Sequence, residues 1–238
     1  MHAPSGTTHT LADPRLVSSY LLREIVALVV VAALLFGLAG TLAWSSAWAM
    51  LAVTAAWSAG MAIIILRRNP TLLAERMGVR PNSKRWDRWI MSLHGLLQLA
   101  TFILAGLDRR FGWADTMPGG VQAGALIACA AGYAFFLWAV ASNPFFSQVV
   151  RLQTDRGHEV VRTGPYRFIR HPGYVGGVFT QLGVPLLLGS WPAAVAGLLD
   201  TLLLIARTSL EDRTLHAELP GYADYARQVR HRLLPGVW

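Results

Sequence analysis

The sequence predicts an all-α integral membrane protein of about six transmembrane helices, the last two forming a short hairpin. Three observations predict it. The 238 residues are 54% hydrophobic and only 14% charged, outside the usual composition of soluble domains. Apolar runs reach the roughly 17 to 25 residues that a bilayer crossing requires. All 21 Lys and Arg residues fall outside those runs, in the ends and connections.

Taken in order, the runs are 25–44, 47–66, 89–107 and 121–141, each unbroken by a basic residue. A fifth apolar block, 175–206, is interrupted by "GSWP" at 189–192 and reads as a helical hairpin. Its arms of about 15 residues barely match a ~30 Å hydrocarbon core. The charges set the topology. Arg15 and Arg23 precede the first run, seven basic residues occupy 67–88, five occupy 142–174 and five follow Ala206, while Arg109 and Arg110 alone fall in the remaining connection. The positive-inside rule then puts both termini and the long connections in the cytoplasm. The chain divides into an N-terminal four-helix transmembrane region, 1–141, and a chemistry-bearing region, 142–238, made of a cytoplasmic connection, the hairpin and a cytoplasmic tail. Polar residues 1–18 lack a cleavage-type signal, so the first span is expected to persist.

The net charge of +8 is mostly topological, with attraction to anionic membrane lipid as a secondary effect. Nucleic-acid binding is not expected, because the basic residues do not gather on one soluble face. The lone Cys129, inside an apolar run, excludes an intrachain disulfide and a cysteine metal cluster. His2, His9, His216 and His231 lack metal-ligand spacing, and no metal site is expected. Twenty arginines against one lysine, with abundant Ala and Gly, point to a GC-rich bacterial source and hence to the bacterial inner membrane.

The connection carries "VVRTGPYRFIRHPGYVGG", 160–177. Pro165 and Pro172 bias their preceding residues away from helix, and Gly157, Gly164 and Gly173 permit tight turns or close approach. "TDRGHE" reads as a turn, followed by a short extended run. The rings of Tyr166, Phe168, His171 and Tyr174 suit an aromatic, zwitterionic or phosphate-bearing ligand. Interfacial anchoring also places Arg beside aromatics, but it does not require a rigid backbone. In the tail, Arg207 and Glu211 are four apart on one helical face. They read either as a surface ion pair worth under about 1 kcal/mol or as two groups facing a cavity. "ELPGYADY" ends that helix and starts another. Asp200, His94 and Gln98 are polar residues within apolar runs, where bonding between helices competes with a functional role.

These residues resemble the isoprenylcysteine carboxyl methyltransferase family. The matching parts are "Q(x4)HEVV", "GPYRFIRHPGY", "R(x3)ED" and "GYADYARQVRHRLLPG", over 148–236, with "RNPTLLAERM" and "WDRW" similar to the bacterial branch. "GPYR..RHP.Y.G" alone is shared with phospholipid N-methyltransferases and membrane sterol reductases. The resemblance implies a cytoplasmic pocket for S-adenosylmethionine, covered by the C-terminal helical segment and lined by Gln153, His158, Glu159, Val160, Val161, Tyr166, His171, Pro172, Gly173, Tyr174 and Glu211. It implies that Arg207, with Glu211, serves catalysis, and that Arg207 touches the methyl acceptor, a lipophilic or small molecule. The spacing from Gln153 to His158 is shorter here than in eukaryotic members. A carboxylate acceptor arrives ionised and needs only orientation, whereas a thiol or amine would need a base such as His171 or Glu211. Two other classes stay open: a membrane reductase using NADPH, whose branch reads "RHPNYFGE" where this chain has "RHPGYVGG", and a non-catalytic lipid-binding protein.

Overall fold

The computed structural model describes residues 13–68, 70–77, 83–236 and 238. Eight α-helices account for most of them: α1 Pro14–Ala39, α2 Ser45–Arg68, α3 Thr71–Met77, α4 Arg85–Phe111, α5 Gly119–Ser142, α6 Pro172–Leu188, α7 Trp191–Glu218 and α8 Tyr222–Gln228. Two 3-10 turns, Thr154–Arg156 and Gly164–Arg167, shape the long connection before α6.

Five of the helices, α1, α2, α4, α5 and α7, are long and apolar enough to cross a membrane. Their outer faces carry exposed Leu22, Ile25, Val29, Ile63, Leu96, Ile127 and Leu202. Such outward apolar surface is the mark of helices solvated by lipid, where every backbone polar group is satisfied within the helix. The molecule is therefore an all-helical integral membrane protein.

The hairpin is asymmetric. The 17 residues of α6 reach only about 26 Å, short of a ~30 Å core, and α6 lies inside the bundle against α5 and α7. Small residues let it sit there: a Cβ on Gly176 would stand 2.6 Å from the carbonyl oxygen of Gly132 on α5. The 28 residues of α7 make the longer arm, because its helical periodicity continues through the polar "RTSLEDRTLHAE". The expected first span, 25–44, begins eleven residues early, at Pro14. Asp13 accepts the N–H of Arg15 at 2.9 Å and Pro14 opens the first turn, a start signal stronger than the first apolar residue.

The N-terminus of α4, the C-terminus of α7, α8 and the 142–171 connection meet at the basic-rich end of the bundle. Lys84 N–H donates to the carbonyl of Val150 at 3.1 Å, and Lys84 Nζ pairs with Glu218 at 2.6 Å. The tail is fastened to the same end. Arg170 and His171 donate their backbone N–H groups to the carbonyls of His231 and Arg232, at 2.9 and 3.0 Å.

A candidate active site at the basic end

A cavity of about 630 Å³ opens among α2, α4, α5, α6, α7, α8 and the connection, within the size range of small-molecule sites. The turn preceding α6 builds one wall. Gly164 takes φ +59, and its Cβ position falls 2.1 Å from Ser142 Oγ, so both conformation and space demand glycine. This presses the turn onto the end of α5. Asn143 Nδ2 then donates to the hydroxyl of Tyr166 at 3.1 Å, and the Tyr225 hydroxyl donates to the Tyr166 carbonyl at 2.7 Å. Burial, outweighing the bond from Asn143, holds the Tyr166 phenol above its ordinary pKa.

Asp212 ties the motif to the tail. Its carboxylate is 1% exposed. It accepts from Arg170 Nε and Nη2 at 2.8 and 3.2 Å, from Tyr222 Oη at 2.9 Å and from Arg232 Nε at 2.8 Å. His171 Nε2 lies 3.2 Å away. Arg170 Nη1 also reaches the carbonyls of Val229 and Arg230. A carboxylate this buried is tolerable because guanidinium and hydroxyl groups fill its lone pairs.

Arg207 and Glu211 both face the cavity, and neither forms the surface ion pair that their spacing allowed. Arg207 is paired instead with Asp87 on α4: Nε to Oδ1 at 2.8 Å and Nη2 to Oδ2 at 3.3 Å. Its Nη2 also reaches the Gln148 carbonyl at 2.8 Å, while Asp87 accepts the Val150 N–H at 2.7 Å. The guanidinium sits 5.4 Å from the ring centre of Tyr174. Glu211 accepts from the Tyr174 hydroxyl, and among the described residues no cation lies within ion-pair distance of it.

Of the residues expected at the site, His158, Glu159, Val160, Val161, Tyr166, His171, Gly173, Tyr174, Arg207 and Glu211 line this one cavity. Gln153 and Pro172 stand behind it. Gln153 is fully buried and spends its amide on its own loop: Nε2 donates to the Phe145 carbonyl at 2.6 Å and Oε1 accepts from Arg156. Pro172 opens α6. His158 packs 4.8 Å from the Phe145 ring, and burial, then Arg151 and Arg156, push its pKa below the ordinary value. A second buried pair, Arg151 with Glu75 at 2.7 Å, joins the connection to α3.

Sequence reasoning does not single out Asp212, Arg170, Asp87 or Glu75. The available signal for Asp212 was arithmetic: the arginines of "RFIRHP" and "RHRLL" need an anion wherever they are buried.

Residues 125–217 match the sequence model described as the isoprenylcysteine carboxyl methyltransferase (ICMT) family. The matched segment runs from α5 through most of α7, so it holds the turn, His171, Arg207, Glu211 and Asp212, and ends before α8. Over 99 residues the chain is 32% identical to the protein-S-isoprenylcysteine O-methyltransferase of Schizosaccharomyces pombe (strain 972 / ATCC 24843), covering 41% of this chain and 41% of that protein. The matched stretch thus spans about two fifths of that relative's length. The fold is similar to that of the eukaryotic intramembrane Ras methyltransferase ICMT, with a TM-score of 0.56, 16% identity, and coverage of 94% of this chain and 83% of the other.

Proposed function

We propose that the protein is an integral-membrane methyltransferase that moves a methyl group from S-adenosylmethionine to a carboxylate on a lipophilic or small acceptor, with an isoprenylcysteine-type carboxylate as the family precedent. The observation that carries this reading is the charge balance of the cavity. Asp87 neutralises Arg207, so Glu211 is left as an uncompensated anion among aromatic rings. An anion among aromatic rings suits a cationic sulfonium with an adenine ring. It suits a polyanionic nicotinamide dinucleotide poorly, since Arg170 and Arg232 are already committed to Asp212.

S-adenosylmethionine supplies an electrophilic methyl group when bound. His158, Tyr166 and His171 offer ring faces and donors to hold the cofactor, the backbone of 158–161 offers N–H and C=O groups, and Glu211 offsets the positive charge. Arg207 Nη1 carries two N–H groups that no described residue accepts, and these orient the acceptor carboxylate by charge-assisted bonds. The Asp87 clamp fixes that fork beforehand, so little rotamer freedom is lost on binding. A carboxylate needs no deprotonation, and the chain has only to align it and exclude water. The basic-rich end faces the cytoplasm in this proposal, with both termini on that side of a bacterial inner membrane.

The test separates charge from shape. Glu211→Gln keeps the shape and removes the anion. It is expected to weaken S-adenosylmethionine by roughly tenfold, about 1.4 kcal/mol, and the neutral thioether S-adenosylhomocysteine by less, in calorimetric titrations of detergent-purified protein. Equal weakening of both would contradict the role given to Glu211.

A further inference from the structure

The cavity does not end at Arg207. It continues into the membrane-embedded part of the bundle, where His94 and Gln98 of α4, Gln181 of α6 and Trp57 of α2 line it. At this depth the wall sets these polar side chains among apolar Met91, Phe136 and Leu204. His94 Nδ1 donates to Asp200 Oδ1 at 2.7 Å, and Gln98 Nε2 donates to Asp200 Oδ2 at 3.3 Å. Asp200 itself is 2% exposed. Two rungs therefore join α4 to α7, the Asp87–Arg207 ion pair and the His94–Asp200 hydrogen bond. Each helix contributes residues seven apart, in opposite chain directions.

Bonding between the helices accounts for His94 Nδ1 and for Asp200, but not for the rest of the wall. Gln181 is 6% exposed, and its Oε1 has no hydrogen-bond partner among the described residues. Its Nε2 lies 3.4 Å from His94 Nδ1, whose proton is already directed at Asp200, so whichever way the amide is turned one end lacks a partner. Trp57 Nε1 is likewise buried without a partner. His94 keeps Nε2 free among the described residues, on a side chain 29% exposed. Unmet buried donors and acceptors cost free energy that a ligand's polar group recovers.

We propose that this deep wall is a second, hydrogen-bonding subsite for the methyl acceptor. It takes a hydroxyl carried about 10 Å from the carboxylate that Arg207 holds, the rise of seven residues between Arg207 and Asp200 along α7. The hydroxyl donates to Gln181 Oε1 or to His94 Nε2, the acceptor nitrogen while Nδ1–H faces Asp200. The acceptor class is then a lipophilic hydroxy acid, polar at both ends, and not a carboxylate on a wholly hydrocarbon tail. The proposal rests on the methyltransferase reading above.

The experiment uses the full chain purified in detergent. S-adenosylhomocysteine binding is measured first by calorimetry, and labelled S-adenosylmethionine is then offered with a chain-length series of ω-hydroxy fatty acids and the matching unsubstituted acids. The subsite predicts a roughly tenfold lower KM for the hydroxy acid at one chain length, the value of one good hydrogen bond. His94→Leu and Gln181→Leu should erase that preference while S-adenosylhomocysteine still binds. Gln181→Leu removes an oxygen that accepts no hydrogen bond among the described residues, so it keeps the test open if His94→Leu does not fold. No preference at any length, a preference that survives both variants, or methylation of neither acid series overturns the subsite. If those results accompany intact S-adenosylhomocysteine binding, the methyltransferase reading stands without it. Absence of that binding in the unmodified protein overturns both.

Discussion

Asp212 gathers Arg170, Tyr222 and Arg232 onto one buried carboxylate, with His171 Nε2 within 3.2 Å. Removing one member of a buried charge cluster strands the others, at a typical cost of about 3 to 5 kcal/mol. Asp212→Ala is accordingly expected to lower the thermal midpoint in detergent sharply, and Asp212→Asn, which keeps the shape, by less. Equal melting of Asp212→Ala and the unmodified protein would remove the carboxylate from its central place. His158 gives a pH signature. Its folded pKa is depressed by burial, then by Arg151 and Arg156, from an ordinary value of 6.5. The unfolded chain therefore binds a proton first as pH falls. Stability is unaffected above that value and declines as pH drops through it towards the folded pKa. His158→Gln should flatten that part of a melting-temperature profile recorded between pH 7.5 and 5.5. An unchanged slope would assign the dependence to other groups. At this scale the motif residues were legible because their prolines, glycines and rings cluster in sequence. Asp87 was not, because its partner Arg207 lies 120 positions away and nothing local marks either as buried.

Among the elements, the α5–α6 contact decides where the site stands. It depends on backbone meeting backbone, as at Gly132 and Gly176, in the manner of small-residue helix contacts in membranes. Gly176→Ala would place a methyl group 2.6 Å from a carbonyl oxygen and 2.9 Å from Phe136 Cβ. An overpacking cost of about 1 to 3 kcal/mol is expected, with α6 displaced and cofactor binding weakened. Gly37→Ala on the lipid-facing α1, where nothing lies within 4 Å, is the matched control and should melt like the parent. Similar behaviour of the two variants would mean that α6 is not held by close approach. Apolar runs found the cores of the long helices, and the start of α8 followed from the break at "ELPGYADY". The early start of α1 was hidden in a capping signal, Asp13 and Pro14. The shortness of α6 was visible, but its burial within the bundle was not, because its glycines read equally well as flexibility.

For the whole molecule, the distribution of charge and the closure of the tail point the same way. The basic end of the bundle carries the connection, the tail and a cavity whose polar walls run from Glu211 down to His94. The all-helical membrane fold was legible from hydropathy and from where the arginines fall. The cavity was not, since it is enclosed by α2, α4, α5, α6, α7, α8 and the connection together, and by buried ion pairs that no segment reveals alone. The proposed function puts a sulfonium methyl donor beside Glu211 in this cavity. Its most direct measurement is calorimetry of the detergent-purified chain titrated separately with S-adenosylmethionine, S-adenosylhomocysteine and NADPH. Saturable binding is expected of the first two and none of the third. Binding of NADPH alone would contradict it.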